Sequence, residues 1–189
     1  MRTSLILALL ICPGAIFNDA HAQGQPSEPE LVGITSQRIE QAAAEPGNWL
    51  TYSGQYNGQR FSRLKQITPD NVKNLQVKWI RQFPITEFFE TTPLVVDGVM
   101  FITIPANIIC ALDARSGLKY WQMEYPMKPK LAFCCGKVNR GLAMLGETLY
   151  KGTLDAKILA VDAKSGSIRW EVQVGQPEAG YSITAAPLR

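Results

Sequence analysis

The chain has 189 residues but only one histidine, and neither sign of charge is in strong excess. His21, the sole imidazole, lies among the first 22 residues, so it is no ligand for a metal in the body of the protein. There are 19 lysine and arginine residues against 16 acidic ones, which gives a net charge of +3, and the basic residues are scattered. This balance does not indicate a nucleic-acid partner.

Long apolar runs are also scarce. At the amino terminus, Arg2 supplies a positive end, residues 5–11 are apolar but too few to span a bilayer, and residues 20–22 form a small-x-small cleavage site. Residues 1–22 are therefore predicted to be a signal peptide for export to the periplasm. A retained single-span anchor in the inner membrane is one alternative. Lipidation of Cys12 is a second, but large apolar residues precede this cysteine where small ones are required.

Cysteine is also scarce, with four residues in the chain. Removal of the signal peptide leaves Cys110, Cys134 and Cys135, an odd number that cannot all pair within one chain. Cys110 lies in an apolar run, residues 108–112, that is typical of a buried strand. A bond between neighbours closes a small strained ring, so Cys134 and Cys135 could instead pair elsewhere or stay reduced. The simplest pairing joins these two and leaves Cys110 free.

What the chain does contain is an internal repeat. Residues 111–121 and 160–170 align without a gap at an offset of 49, and residues 93–101 correspond to 141–150. Each copy has an apolar strand, an Asp-Ala-x-Ser-Gly turn and a second strand that ends in tryptophan, Trp121 or Trp170. Such a period, with about four short strands per unit, predicts an all-β protein built from propeller blades. We expect the two tryptophans to be blade-packing residues rather than cofactor contacts.

The repeats cannot form a closed ring, because a propeller typically needs four to eight blades and a third copy only begins at residues 186–188. The remainder of the propeller is expected from a longer parent protein, from a reading frame that has been truncated, or from a partner chain. Residues 48–189 are then the N-terminal blades, and residues 23–47 form a polar arm on the surface.

Shorter elements are predicted before the repeats. Residues 36–44 are expected to form a short helix capped by Thr35 or Ser36. Glycine-broken aromatic segments within residues 48–62 favour an edge strand with turns. A second short helix is predicted to begin with Thr68 as its cap and to end by Leu75. Everything before Glu90 is interpreted as scaffold.

The adjacent cysteines stand in a wider pattern of motifs. Residues 90–98 precede them, the Asn-Arg-Gly of residues 139–141 follows closely, and residues 152–156 come later. From about residue 48 to the end, this order resembles the amino-terminal portion of the quinoprotein alcohol dehydrogenases, which use pyrroloquinoline quinone (PQQ). The resemblance implies that the chain holds the first two to three blades of an eight-bladed propeller.

The resemblance also implies a cofactor site. In that family a vicinal disulfide packs against one face of PQQ, while a glutamate, an arginine and a threonine hold its carboxylates and polar edge. The matching positions here are Glu90, Cys134, Cys135, Arg140 and Thr184. A planar guanidinium suits a carboxylate, although an arginine in a turn can also serve in an ion pair. The threonine could be an ordinary strand residue.

Glu90 is the unusual member of this set, because it is an acid near an anionic ligand. It could share a proton, accept a hydrogen bond from a ring nitrogen of the cofactor, or pair with Arg140. The simpler alternative is a solvated acid at a strand end.

By resemblance, the expected activity is oxidation of an alcohol by hydride transfer to PQQ, with electrons passed to cytochrome c or a membrane quinone. A calcium or lanthanide ion polarises the quinone and an aspartate acts as base, but both are expected beyond residue 189. We therefore assign no catalytic residue and no metal ligand, and we expect this chain alone to be inactive. A non-catalytic propeller scaffold or binding protein of the cell envelope is the alternative, although it needs none of these motifs.

Overall fold

The computed structural model describes residues 30–127, 131 and 136–188, and within them it contains two four-stranded antiparallel sheets. The first sheet, hereafter the first blade, consists of β1 (Leu94–Val96), β2 (Val99–Ile104), β3 (Ile108–Asp113) and β4 (Lys119–Glu124). The second blade consists of β5 (Ala143–Leu145), β6 (Thr148–Gly152), β7 (Lys157–Asp162) and β8 (Ile168–Gln173). In both, neighbouring strands follow chain order. The all-β prediction is confirmed.

The two blades share one register. Val99 pairs with Asp113 in the first blade, and Thr148 pairs with Asp162 in the second, so the 49-residue offset of the sequence is also the offset of the strand pairing. The pairing shifts by one residue after Ala111 in the first blade and at the same place in the second. The repeat therefore specifies the irregularity of each sheet as well as its strands.

The Asp-Ala-x-Ser-Gly motif forms the turn between the third and fourth strands of each blade. Oδ1 of Asp113 accepts hydrogen bonds from the backbone N–H groups two and three residues further on, at 3.0 and 2.7 Å. Asp162 does the same at 3.0 and 2.8 Å. Each turn ends in a glycine with positive φ, +71° at Gly117 and +74° at Gly166, a conformation that L side chains rarely adopt.

A tryptophan from the preceding segment covers each turn glycine. A Cβ atom on Gly166 would lie 2.6 Å from the ring of Trp121, whose Nε1 donates to the carbonyl of Ala163 at 3.0 Å. Trp79 occupies the same place on Gly117 and donates to a turn carbonyl at 3.2 Å. The predicted role of Trp121 in blade packing is confirmed. Trp170 contacts the ring of Tyr150, in its own blade, with centroids 5.9 Å apart.

The amino-terminal arm differs in one respect from its prediction as a surface segment. Its helix α1 (Ser36–Glu40) is capped by Thr35 as predicted, since Oγ1 accepts from the backbone of Arg38 at 3.1 Å. The arm does not simply lie on the surface, because four of its apolar residues are buried in the core with both blades. These residues are Leu31, Ile34, Ile39 and Ala42. A mostly polar segment can still bury the few apolar side chains that face the sheets.

An ion-pair network holds this arm against the first blade. Arg38 Nη2 lies 2.7 Å from a carboxylate oxygen of Glu45, and the same guanidinium also pairs with Asp97 in the β1–β2 turn. Asp97 has a positive φ of 51° and accepts a hydrogen bond from the backbone of Val32 at 2.9 Å. The arm is thereby joined to the turn at both its backbone and its side chains.

Two other predictions need correction. Residues 48–62 form no strand, and their backbone pairs with the blade through a bridge between Trp49 and Val95. The helix expected to start at Thr68 is a single 3-10 turn, Val72–Asn74, although Asn71 Oδ1 accepts a hydrogen bond from the Thr68 backbone at 2.8 Å as in a capped start. None of the residues of this turn is buried, and a short helix without a packed face is not stabilised.

No helix in the described part of the chain is long and apolar enough to cross a membrane. The predicted signal peptide lies outside the described residues.

Candidate functional site

Three of the five predicted cofactor-binding residues lie together. Arg140 Nη2 is 2.8 Å from Oε2 of Glu90, and Nη1 of the same guanidinium donates to Oγ1 of Thr184 at 2.8 Å. These residues are separated by 50 and 44 positions along the chain. We call this group the arginine triad. Of the interpretations considered for Glu90, the geometry favours the pair with Arg140.

The blade topology explains why these residues meet. Each blade is entered through an extended segment that runs to its first strand, and the segments of neighbouring blades lie side by side. The backbone N–H of Thr92 donates to the carbonyl of Arg140 at 2.9 Å, and the N–H of Arg140 donates to the carbonyl of Thr184 at 2.8 Å. Thr92 and Gly141 also form a parallel bridge. The triad therefore takes one side chain from each of three successive entry segments.

The triad is open to a ligand. The Arg140 and Glu90 side chains are 40% and 42% exposed. The carboxylate of Glu90 balances the charge of the guanidinium, but Glu90 and Thr184 occupy only part of its five N–H donors, so the remaining N–H groups can donate to an anionic ligand. Near it, Lys137 Nζ forms a second ion pair with Glu87 Oε1 at 3.2 Å.

Sequence reasoning assigned Tyr52 and Arg60 to the scaffold, but both lie beside the triad. Hydrogen bonds from Arg60 and from the Thr92 side chain lower the pKa of the Tyr52 phenol, and the positive charges of Arg60 and Arg140 lower it further. The Arg60 guanidinium also stacks on the Tyr52 ring, 5.1 Å from its centroid. The only signal for them was the aromatic, glycine-broken segment within residues 48–62, which we interpreted as structural.

Cys134 and Cys135 lie outside the described residues, so their bond stays a prediction. Among the described residues Cys110 is a free thiol, buried in β3. Burial raises its pKa to about 11, although the positive charges of Arg81 and Lys119 act in the opposite direction. A thiol held neutral in this way is a structural residue and not a nucleophile.

Beneath the triad is a set of buried polar residues that we call the polar cluster: Asn107, Asn139, Lys151 and Asp155. Lys151 Nζ donates to the carbonyl of Gly152 at 3.0 Å. Burial lowers the pKa of Lys151 to about 7, against the opposing effect of the negative charge of Asp155. Asn107 Nδ2 and Asp155 Oδ1 have no hydrogen-bond partner among the described residues.

Within residues 30–127, 131 and 136–188, no group of three or more histidine, cysteine, aspartate or glutamate side chains is arranged to hold a metal ion.

Comparison with known proteins gives this site its context. Residues 49–169 match the family described as "PQQ: Glucose/ethanol/alcohol dehydrogenase, beta-propeller domain". The chain is 35% identical over 189 residues to quinohemoprotein alcohol dehydrogenase ADH IIB of Pseudomonas putida. The alignment covers 99% of this chain and 26% of that protein.

Two solved structures are similar. One is quinohemoprotein alcohol dehydrogenase ADHIIG from Pseudomonas putida HK5, with a TM-score of 0.77 and 37% identity, covering 84% of this chain and 24% of that one. The other is a europium-containing methanol dehydrogenase, with a TM-score of 0.75 and 31% identity, covering 81% and 27%. The chain thus spans about a quarter of the length of these proteins. Its two blades are part of a larger propeller, and it belongs to the family of PQQ-dependent alcohol dehydrogenases.

Proposed function

We propose that this chain supplies the cofactor-holding N-terminal blades of an exported PQQ-dependent alcohol dehydrogenase. The arginine triad is the observation that carries the proposal, because it presents an exposed cation and a hydroxyl in a family defined by PQQ. When bound, PQQ supplies the oxidant that takes a hydride from the alcohol.

The residues present fit the chemistry of this cofactor. PQQ carries three carboxylates, and charge-assisted hydrogen bonds from a guanidinium are the strongest that a side chain offers to such a group. Arg140 would hold one carboxylate and Thr184 would donate or accept at the polar edge. Glu90, 2.8 Å from the guanidinium, fixes the orientation of that planar group before the ligand arrives. Cys134 and Cys135 would form a wall against the quinone face.

The rest of the reaction depends on partners of this chain. The substrate is an alcohol, in keeping with the names of the relatives, and the haem implied by "quinohemoprotein" supports cytochrome c as electron acceptor. A membrane quinone is the alternative acceptor. The europium-containing neighbour supports a metal ion beside PQQ, either calcium or a lanthanide. Its ligands and the catalytic base would come from the remainder of the propeller, in the periplasm.

The role of Arg140 can be tested in a completed chimera, in which this chain replaces the matching quarter of ADH IIB. We expect Arg140→Ala to weaken PQQ binding by about ten- to a hundredfold, because a charge-assisted contact contributes about 1.5–3 kcal/mol. Equilibrium titration of the apoprotein with PQQ measures this. Arg115→Ala is the matched control, since it removes an exposed turn arginine from the same chain. An unchanged PQQ affinity in Arg140→Ala would overturn the proposal.

A second experiment concerns the chain alone. Residues 23–189, supplied with PQQ and calcium or a lanthanide, are expected to show no dye reduction with short primary alcohols, because neither a base nor a metal site is assigned here. Sustained turnover by a monomeric preparation would contradict the view that the site is shared with further blades.

A further inference from the structure

Asn139 is buried although it directly precedes the exposed Arg140. Only 3% of Asn139 is accessible, and both ends of its side-chain amide are used. Nδ2 donates to the carbonyl of Gly152 at 3.0 Å, and Oδ1 accepts from the backbone N–H of Gly141 at 3.1 Å. Its backbone carbonyl also accepts from the hydroxyl of Thr103 at 3.1 Å. Asn139 therefore joins the entry segment of the second blade to the ends of two strands.

The backbone of Arg140, between these bonds, is also held. Its N–H donates to the carbonyl of Thr184 and its carbonyl accepts from the N–H of Thr92, so both neighbouring entry segments bond to it. Gly141 has a φ of 141°, and a Cβ atom there would lie 2.9 Å from the carbonyl oxygen of Thr92, so this residue too is closely confined. With the backbone held at residues 139, 140 and 141, the guanidinium has only its own side-chain rotations left.

The acceptor used by Asn139 is itself anchored. The carbonyl of Gly152 also accepts a hydrogen bond from the ammonium of Lys151, at 3.0 Å. A Cβ atom on Gly152 would collide with Ile183, the neighbour of Thr184. The first blade has Ile102 at the position of Lys151, where no such bond is possible. The second blade thus departs from its own repeat at the point that supports the triad.

We infer that Asn139 is a positioning residue, whose buried amide sets the location of the Arg140 guanidinium relative to Glu90 and Thr184. The inference rests on the proposed function, since the ligand of that guanidinium is a carboxylate of PQQ. Asn139 would therefore affect PQQ affinity without contacting PQQ.

The polar cluster offers a control. Asn107 is also a buried asparagine that bridges the blades, because its Oδ1 accepts from the backbone of Leu154 at 3.0 Å, but it has no bond to residues 139–141. Asn107→Ala removes the same amide group but also strains the backbone, since φ at this position is +65°, so its effect is judged against its change in global stability. Asn139→Ser leaves a hydroxyl that can accept from the N–H of Gly141 but does not reach Gly152, so it serves as a milder variant if the alanine does not fold.

Two measurements test the inference. The first is PQQ affinity of the completed chimera: Asn139→Ala is expected to lower it at least fivefold and Asn139→Ser at least twofold, whereas Asn107→Ala changes it less than twofold. The second is amide hydrogen exchange of the full 189-residue chain without PQQ. In Asn139→Ala, the exchange rates of the Arg140 and Gly141 amides are expected to rise at least tenfold more than the loss of global stability alone would cause. In Asn107→Ala, these rates are expected to rise only as much as the loss of global stability causes.

Contrary outcomes separate the two proposals. If Arg140→Ala weakens PQQ binding but both Asn139 variants bind as the unmodified chimera does, the positioning role is wrong and the proposed function stands. Equal losses of affinity in Asn139→Ala and Asn107→Ala also overturn the positioning role, because they indicate general destabilisation. If Arg140→Ala leaves PQQ binding unchanged, the proposed function fails, and the exchange at Gly141 alone decides whether Asn139 fixes the backbone.

Discussion

The two blades have nearly the same sequence pattern but different surroundings. The outer strand of the first blade, β4, carries Trp121, which packs on Gly166 of the second blade. The outer strand of the second, β8, is exposed along its whole length, and Trp170 at the equivalent position is 46% exposed. Local sequence therefore forms a blade, while burial of its outer face depends on the blade that packs against it.

The blades also differ at one end of the second strand. Ile102 of the first blade packs in an apolar cluster with Trp79 and Phe83. Its counterpart Lys151 is fully buried and belongs to the polar cluster. A buried ammonium opposes stability, so we associate this departure from the repeat with the site rather than with the fold.

The largest expected effect tests that difference directly. The Lys151→Ile substitution gives the second blade the residue of the first. The difference in free energy of unfolding between this variant and the unmodified chain should depend on pH. The lowered pKa, about 7 against 10.5 in the unfolded chain, means that the penalty of Lys151 is fully present below pH 7 and is released as pH rises from 7 towards 10.

The unmodified chain should therefore gain on the order of 3 kcal/mol relative to Lys151→Ile between pH 7 and 10, since each pKa unit corresponds to about 1.4 kcal/mol. Urea unfolding at both pH values measures the change. A difference between the two proteins that stays constant over this range would mean that Lys151 is not desolvated in the native state.

The next effect compares the two outer tryptophans. Trp121→Ala should lower the free energy of unfolding by about 3 kcal/mol, because it leaves a cavity between the blades. Trp170→Ala should lower it by less than about 1 kcal/mol in the same chain, since its ring is half exposed. Thermal or urea unfolding followed by circular dichroism distinguishes them. Equal losses would show that the contact between blades contributes little.

The turn glycines give a smaller effect. Gly166→Ala should cost about 2 kcal/mol, because an alanine there has a positive φ and a Cβ against Trp121. Gly98→Ala is the control: its φ is +83° but nothing lies within 4 Å, so only backbone strain of about 1 kcal/mol is expected. In a Trp121→Ala background the two costs should become equal. If they remain different, the ring is not the cause.

The smallest effect concerns the two turn aspartates. Partial burial opposes ionisation of Asp162, but hydrogen bonds from Arg169 and Ser165 outweigh it and hold the pKa at about 2. For Asp113, hydrogen bonds from Ser116 have the largest effect on the pKa, and Tyr120 adds another; within the described part of the chain no lysine or arginine side chain bonds to it. Since a lowered carboxyl pKa contributes stability that is lost as pH falls from about 4 to 2, Asp162→Asn should remove about 1 kcal/mol of acid-sensitive stability.

Asp113→Asn should remove less of this stability, because its partners are uncharged. Unfolding at pH 2, 4 and 6 measures both variants. Equal changes in the pH dependence of the free energy of unfolding would contradict this prediction and show that the two turn aspartates contribute equally.

Much of the fold could be predicted because its determinants are local. The turn aspartates, the turn glycines and the alternation of the strands lie within about ten residues of one another, so the repeat could be recognised and its offset of 49 holds in the structure. The cap at Thr35 was predictable for the same reason. The helix predicted after Thr68 is only one 3-10 turn because none of its residues is buried, and local start signals alone do not stabilise so short a helix.

The site was predictable only as a set of residue types. Sequence and family resemblance singled out Glu90, Arg140 and Thr184, but no local pattern states that residues 44 and 50 positions apart touch one guanidinium. No sequence pattern predicted that the side chain of Asn139 is buried. Its two partners are backbone groups, and backbone groups give no signal in a sequence.

By itself, then, the sequence determined the all-β class, the blade repeat and the candidate residues, since strand period and turn chemistry act over a few residues. Only the tertiary structure decided which side chains meet, that the polar arm has a buried side, and that Lys151, the counterpart of Ile102 in the repeat, is fully buried. The physical reason is that burial and hydrogen bonding between distant segments depend on how neighbouring blades and entry segments pack.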